Sequence, residues 1–143
     1  MQITWSEQRG GIGWEQLAAL YRAAPLGNKN AADLDIVFSN SRFCCFAHDG
    51  GRLVAAGRVL ADGLDCAYLC DIAVLPSHQG MGLGREIVAR LVAQSRSHAK
   101  IILYAVPGRE PFYARLGFLP MTAAMAIFQN PVSAIARGYL RDA

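Results

Sequence analysis

Gln79-Gly80-Met81-Gly82-Leu83-Gly84-Arg85 sets three glycines at alternate positions between a β-forming run and an amphipathic run. Side-chain-free positions at this spacing let backbone N–H groups converge on one point, an arrangement that binds anions. A helix starting there adds unpaired N–H groups and the positive end of its dipole, so a pyrophosphate would be held largely by backbone. A dinucleotide-binding fingerprint would need a glycine where Arg85 stands, and the Gly-Lys-Ser/Thr of a nucleotide hydrolase is absent. What remains is a Gln-x-x-Gly-x-Gly loop, which also reads as a tight strand-to-helix turn.

Few side chains look able to move protons. Asp71 could accept one, or it could anchor a neighbouring loop, since on an alternating strand it points opposite Cys70 and Ile72. Tyr113 could donate one, because a phenol with a pKa of about 10 stays protonated at neutral pH, or it could pack as Phe112 and Phe118 do. Cys70 lacks a sequence-placed histidine to activate it, and apolar neighbours raise a thiol pKa. His48, His78 and His98 read as exposed loop or helix residues without a catalytic role. Cys44, Cys45, Cys66 and Cys70 form no Cys-x-x-Cys pair and have no histidine spaced to complete a metal site, so reduced, buried thiols and no metal are expected.

The elements that must position these groups follow from periodicity. A strand is expected over 2–6, then a helix on which Trp14, Leu17, Ala18, Leu20 and Tyr21 recur at helical spacing. A helix over 32–39 leads to strands 43–47 and 53–60, joined by the turn His48-Asp49-Gly50-Gly51. A buried strand over 67–75 ends at Pro76, and the helix after the glycines puts Leu83, Ile87, Val88, Leu91 and Val92 on one face. A strand over 101–106, the turn Pro107-Gly108, a helix over 110–116 stopped by Gly117, and a last strand over 125–128 complete a mixed α/β order. Asn130 as cap and Pro131 at the first helical position predict a terminal helix over 131–140.

With 143 residues, 53% of them hydrophobic, the chain reads as a single domain, 1–143. No run approaches the roughly 18 apolar residues of a membrane span, and the amino terminus lacks the basic-then-apolar order of a secretory signal, so a cytoplasmic protein with no membrane partner is expected. The net charge of +3 comes from scattered basic residues rather than a basic stripe, which argues against nucleic acid and suits a small anionic ligand.

The window Asp71-Ile72-Ala73-Val74-Leu75-Pro76-Ser77-His78-Gln79-Gly80-Met81-Gly82-Leu83-Gly84 closely resembles the acetyl-coenzyme A motif of the GCN5-related N-acetyltransferase (GNAT) superfamily. Further on, Pro111-Phe112-Tyr113-Ala114-Arg115-Leu116-Gly117-Phe118 resembles that superfamily's second signature. The resemblance spans 43–128; residues 1–40, which in the superfamily shape much of the acceptor site, carry little of its pattern. Within the superfamily, Gly108-Arg109-Glu110-Pro111-Phe112-Tyr113 and Leu69-Cys70-Asp71 look most like small bacterial members related to plastid serotonin acetyltransferases and, more remotely, arylalkylamine acetyltransferases.

The resemblance implies an α/β fold with a mixed, mostly antiparallel central sheet of six to seven strands, a splayed central pair and about four flanking helices. It implies acetyl-coenzyme A as cofactor, its pantetheine arm pairing with backbone at Ile72, Ala73 and Val74 in the wedge between the strands ending at Val74 and Val106. Gln79, Gly80, Met81, Gly82, Leu83, Gly84 and Arg85 would hold the pyrophosphate, with Phe112, Tyr113 and Arg115 also at the cofactor, and Arg109 a further charge for its phosphates. A backbone N–H near Ile72 would polarise the thioester carbonyl, Tyr113 would protonate the departing thiolate, and Asp71 is the first candidate for general base.

Trp14, Tyr21, Leu26 and Asn28 are candidate acceptor contacts. Val106 departs from the family pattern, standing where many relatives carry Asn or Asp. The expected activity is acetyl transfer to a primary amine of a small molecule by direct attack in a ternary complex, without an acyl-enzyme. Acetylation of a protein or peptide amine, and acyl-coenzyme A sensing without turnover, are the alternatives. Many relatives pair, so a homodimer fits the resemblance, with 131–140 as a packing or interface element.

Overall fold

Between residues 43 and 74 two turn clusters, Gly50-Gly51 and Asp62-Gly63-Leu64-Asp65, interrupt a run rich in apolar residues, and each interval folds as a strand. In the computed structural model, which describes residues 1–142, these are β2 (Phe43–Asp49), β3 (Arg52–Ala61) and β4 (Cys66–Val74). β1 (Ile3–Ser6) adds beside β2 and β5 (Lys100–Ile102) beside β4, giving the order β1-β2-β3-β4-β5. The first three pairings are antiparallel and the last is parallel.

Helices cover both faces of the sheet, which explains why Cys44 to Ala47 and Leu53 to Gly57 are buried without alternation. On one face Phe46 of β2 stacks on Phe38 of α2 (Ala31–Ser39), ring centroids 5.5 Å apart, and Phe38 also meets Trp14 and Tyr21 of α1 (Trp14–Ala23). Cys45, the next residue back, points the other way and pairs with Gly57. A Cβ on Gly57 would come within 2.9 Å of Ile87 and Leu91 of α3 (Leu83–Gln94) and within 2.8 Å of Ile72. That position therefore has room only for hydrogen. Asn30 caps α2 through a reciprocal box with Asp33, which sets the start of that helix.

The chain divides into two compact units, Met1–Leu103 and a second from Tyr104 onward. The first contains the sheet, α1 to α3 and every buried core hydrophobic except Ala134. The second contains α4 (Glu110–Ala114), α5 (Pro131–Ala136) and an aromatic cluster in which Tyr104, Phe128 and Tyr139 sit 5.8 to 6.2 Å apart by ring centroid.

Several expectations are corrected. Among the described residues the sheet has five strands, not six to seven, and there are five α-helices rather than about four. Residues 125–128 form no strand; Met125 and Ile127 are essentially fully exposed, and β-forming side chains do not make a strand without a neighbour to fill its backbone groups. The strand expected over 101–106 is Lys100–Ile102, because its ladder on β4 ends at Tyr68↔Ile102. The terminal helix stops at Ala136, where the left-handed Gly138 (φ 83°) follows, instead of running to 140.

Candidate functional site

Strand β4 carries the site's first irregular feature. Ala56 pairs with Ala73 and Arg58 with Cys70, so Gly57 alone faces two residues, Asp71 and Ile72. This is a β-bulge, which turns backbone groups out of the ladder. Asp71 sits in it at φ 57°, the one non-glycine left-handed residue among those described. Asp tolerates this region better than most residues, but the conformation still needs support.

Three elements supply that support. From α1, the Tyr21 hydroxyl donates to the Asp71 carbonyl at 2.8 Å. From β3, Arg58 Nε donates to Asp71 Oδ2 at 2.7 Å, and Arg58 Nη1 donates to Ser41 Oγ at 3.3 Å. Ser41, in the turn before β2, is itself tied to the Val37 carbonyl at 2.6 Å. Burial opposes the Arg58 charge, but Asp71 outweighs it and the guanidinium pKa ends up raised. Burial, with the Asp71 charge adding, pushes the Tyr21 phenol well up, so its hydroxyl stays a donor.

Past Tyr68 the parallel ladder to β5 ends while β4 runs on to Val74. From Leu69 onward, among the described residues, β4 has a strand neighbour only on its β3 side. Ile72 and Val74 are half-buried and Ala73 is buried. An extended ligand can add to such an edge through main-chain hydrogen bonds.

The chain then makes a short 3-10 turn, Pro76–His78, and enters the glycine loop. Gly80 and Gly82 take φ 79° and 84°, and a Cβ at either would meet nothing within 4 Å. Glycine is thus required there by conformation and not by crowding, and the space around both is open. Gly82 is the N-cap of α3 and no side chain caps it, which leaves the first-turn N–H groups for a ligand. Arg85 and Met81 are exposed, Gly84 is half-buried, and Leu83 is a core residue that can offer only its backbone N–H. Gln79 turns back, its Nε2 donating to the Val74 carbonyl at 3.1 Å.

His78 ties this loop to the opposite hairpin. Its Nε2 lies 2.8 Å from Asp49 Oδ2 and its Nδ1 2.8 Å from Ser77 Oγ, while Asp49 Oδ1 accepts the Gln2 N–H at 3.0 Å. The Gln2 N–H first, and His78 second, hold the Asp49 carboxyl below its ordinary range. His78 and His98 are both buried, contrary to the exposed positions expected. His98 Nε2 accepts from the Gly63 N–H at 3.0 Å, so Nδ1 carries the proton toward the Ser95 carbonyl.

In the second unit, Phe112 and Tyr113 lie on α4 and Arg115 caps its end. Tyr113 is half-buried, its ring edge-on to Phe112 at 5.0 Å and to Phe118 at 6.0 Å. Burial raises its phenol pKa, partly offset by Arg109, so the hydroxyl is protonated at neutral pH and able to donate. Arg109 and Arg115 are exposed.

Among the acceptor candidates, Trp14 and Leu26 are half-buried and Asn28 is exposed. Tyr21 is only 3% exposed with its hydroxyl committed to Asp71, so it supports the bulge and offers no face to a ligand. Cys44, Cys45 and Cys70 are buried and Cys66 is half-buried. Burial raises the pKa of the first three, Cys45 to about 12, which makes Cys70 a poor nucleophile. Arg58, Ser41 and the Asp49–His78 tie were not anticipated. The available signal was Arg58 itself, a charge inside the apolar run Leu53 to Leu60 that needs a buried partner.

A profile described as the Acetyltransferase (GNAT) family matches residues 8–118. The chain is 47% identical over 70 residues to serotonin N-acetyltransferase 2, chloroplastic, of Oryza sativa subsp. japonica, a match covering 48% of this chain and 35% of the relative. It is 28% identical over 113 residues to GCN5-related N-acetyltransferase 1, chloroplastic, of Arabidopsis thaliana, covering 76% of this chain and 57% of the relative. The chain thus spans less than two thirds of the length of these curated relatives. Among solved structures it is similar to a probable acetyltransferase of unknown function from meticillin-resistant Staphylococcus aureus, with TM-score 0.79 and 25% identity over 89% of this chain and 99% of that one.

Proposed function

The chain belongs to the acetyltransferase (GNAT) family, whose members use acetyl-coenzyme A as acetyl donor, and we propose that it transfers the acetyl group to a primary amine of a small molecule by direct attack in a ternary complex. The observation that carries the reading is the open, left-handed Gly80/Gly82 loop at the uncapped start of α3, a backbone cradle suited to a pyrophosphate.

Acetyl-coenzyme A supplies a thioester whose carbonyl carbon the amine attacks. In the proposed reaction, backbone at Ile72, Ala73 and Val74 aligns the pantetheine arm, and the N–H at the bulge donates to the thioester oxygen as charge develops. Tyr113, kept protonated by burial, gives its proton to the departing thiolate. The attacking amine must be uncharged, and because the Asp71 carboxylate is bound to Arg58, proton loss to water is the route proposed. Arylalkylamines are the first acceptor class, on the strength of the rice relative's name. The cytoplasmic setting proposed is supported by four free thiols. Among the described residues no helix is long and apolar enough to cross a membrane.

Thiol release from acetyl-coenzyme A, measured against arylalkylamines, alkylamines, polyamines, amino acids and short peptides, tests the reading. Release with arylalkylamines, with kcat cut about 10-fold or more in Tyr113→Phe, is the expected result. Release with peptides alone would move the assignment to protein acetylation, and acetyl-coenzyme A binding without release on any amine would favour a sensor.

A further inference from the structure

We infer that Asp71 serves this site as a positioning residue, clamped by Tyr21 and Arg58 so that the β4 bulge stays left-handed and aims the Ile72 N–H, and that it does not take the proton of the amine. The inference rests on the acetyl-transfer reading for the purpose of the aimed N–H, but the clamp itself is a property of the ligand-free fold.

The geometry points this way at each end of the residue. The backbone carbonyl of Asp71 is held by a buried tyrosine hydroxyl on α1, and its carboxylate by a guanidinium on β3 that Ser41 steadies in turn. Fixing both ends of one residue leaves its backbone dihedrals little freedom, and the next N–H in the chain belongs to Ile72. The two left-handed residues of the glycine loop have no such ties and need none, since glycine enters that region freely. At the bulge a glycine would adopt φ 57° more easily, but it would bring no side chain for Arg58 to grip. A base must also be free to receive a proton. Protonating the Asp71 carboxyl would spoil a 2.7 Å charge-assisted bond to a guanidinium that is itself largely buried.

Three variants separate the roles. Asp71→Asn keeps an oxygen acceptor for Arg58 and a residue type that tolerates left-handed backbone, but cannot act as a base. Asp71→Ala removes the grip, and Tyr21→Phe releases the carbonyl while keeping the ring. Amide NMR shifts of Ile72 and Ala73 in ligand-free protein should be near wild type in Asp71→Asn and clearly displaced in the other two. In thiol-release assays with an accepted amine, Asp71→Asn should keep kcat within about 5-fold, whereas Asp71→Ala and Tyr21→Phe should lose about 20-fold or more with the acetyl-coenzyme A KM changed less than about 3-fold.

A loss of roughly 100-fold or more in Asp71→Asn, with the acid limb of the pH profile gone, would make Asp71 the base and overturn the inference. Unmoved amide shifts in Asp71→Ala and Tyr21→Phe would overturn the clamp. If wild-type protein releases no thiol with any amine, the acetyl-transfer reading falls, and the ligand-free shifts alone then uphold or overturn the clamp.

Discussion

The bulge at Asp71 and the loop at Gly80 and Gly82 both need left-handed backbone and reach it by opposite means. In the loop the residue type suffices: glycine has no Cβ to clash, nothing packs on it, and no side chain holds it. At the bulge the residue type only tolerates the conformation, and contacts from α1, β3 and the turn before β2 hold it there. Glycine suits a loop that must present open backbone to a ligand. An over-determined bulge suits a strand whose single N–H must be aimed, because strain persists only where surrounding structure holds it.

Four measurements sharpen the contrast. The largest effect is expected from Asp71→Ala, which should lower unfolding free energy in urea by about 3 kcal/mol, because it leaves the largely buried Arg58 guanidinium without its charge partner. A loss below about 0.5 kcal/mol, the range of an ordinary surface change, would mean that the bulge does not depend on its ion pair. Gly57→Ala, opposite the bulge, should cost about 2 kcal/mol, since the new methyl meets Ile72, Ile87 and Leu91 at once.

Gly82→Ala should cost about 1 kcal/mol from backbone strain alone, as no atom obstructs the methyl, and should weaken acetyl-coenzyme A binding in calorimetry. Unchanged binding would argue against the loop as the pyrophosphate cradle.

The smallest effect is expected at high pH. Because the Tyr21 pKa is raised in the fold, its contribution is complete below the ordinary tyrosine pKa of about 10 and is lost as pH rises beyond it toward the folded value. Tyr21→Phe should therefore show a shallower fall of stability above about pH 10 than wild type in denaturant titrations at stepped pH.

Much of the architecture was legible in the chain. The Gly50-Gly51 hairpin turn, the face Leu83, Ile87, Val88 and Leu91, and the stop at Gly117 act through near neighbours, so spacing reveals them. The strand expected over 125–128 shows where such reading ends. An apolar run ending in the β-forming Ile127 and Phe128 suggests a strand, but pairing needs a partner that local sequence cannot supply. His78 and His98 were misread as exposed for a related reason: their partners, Asp49 and Gly63, lie far away in the chain.

The sequence by itself determined the glycine loop, the helix that follows it and the position of Tyr113 within its signature, because these depend on which residues stand next to one another. Only the tertiary structure decided that Asp71 sits in a left-handed bulge, that Arg58 and Tyr21 hold it, and that Tyr21 is support instead of pocket lining. The physical reason is that a bulge is a mismatch between two strands. It has no signature in either strand alone and exists only once Gly57 lies across from two residues.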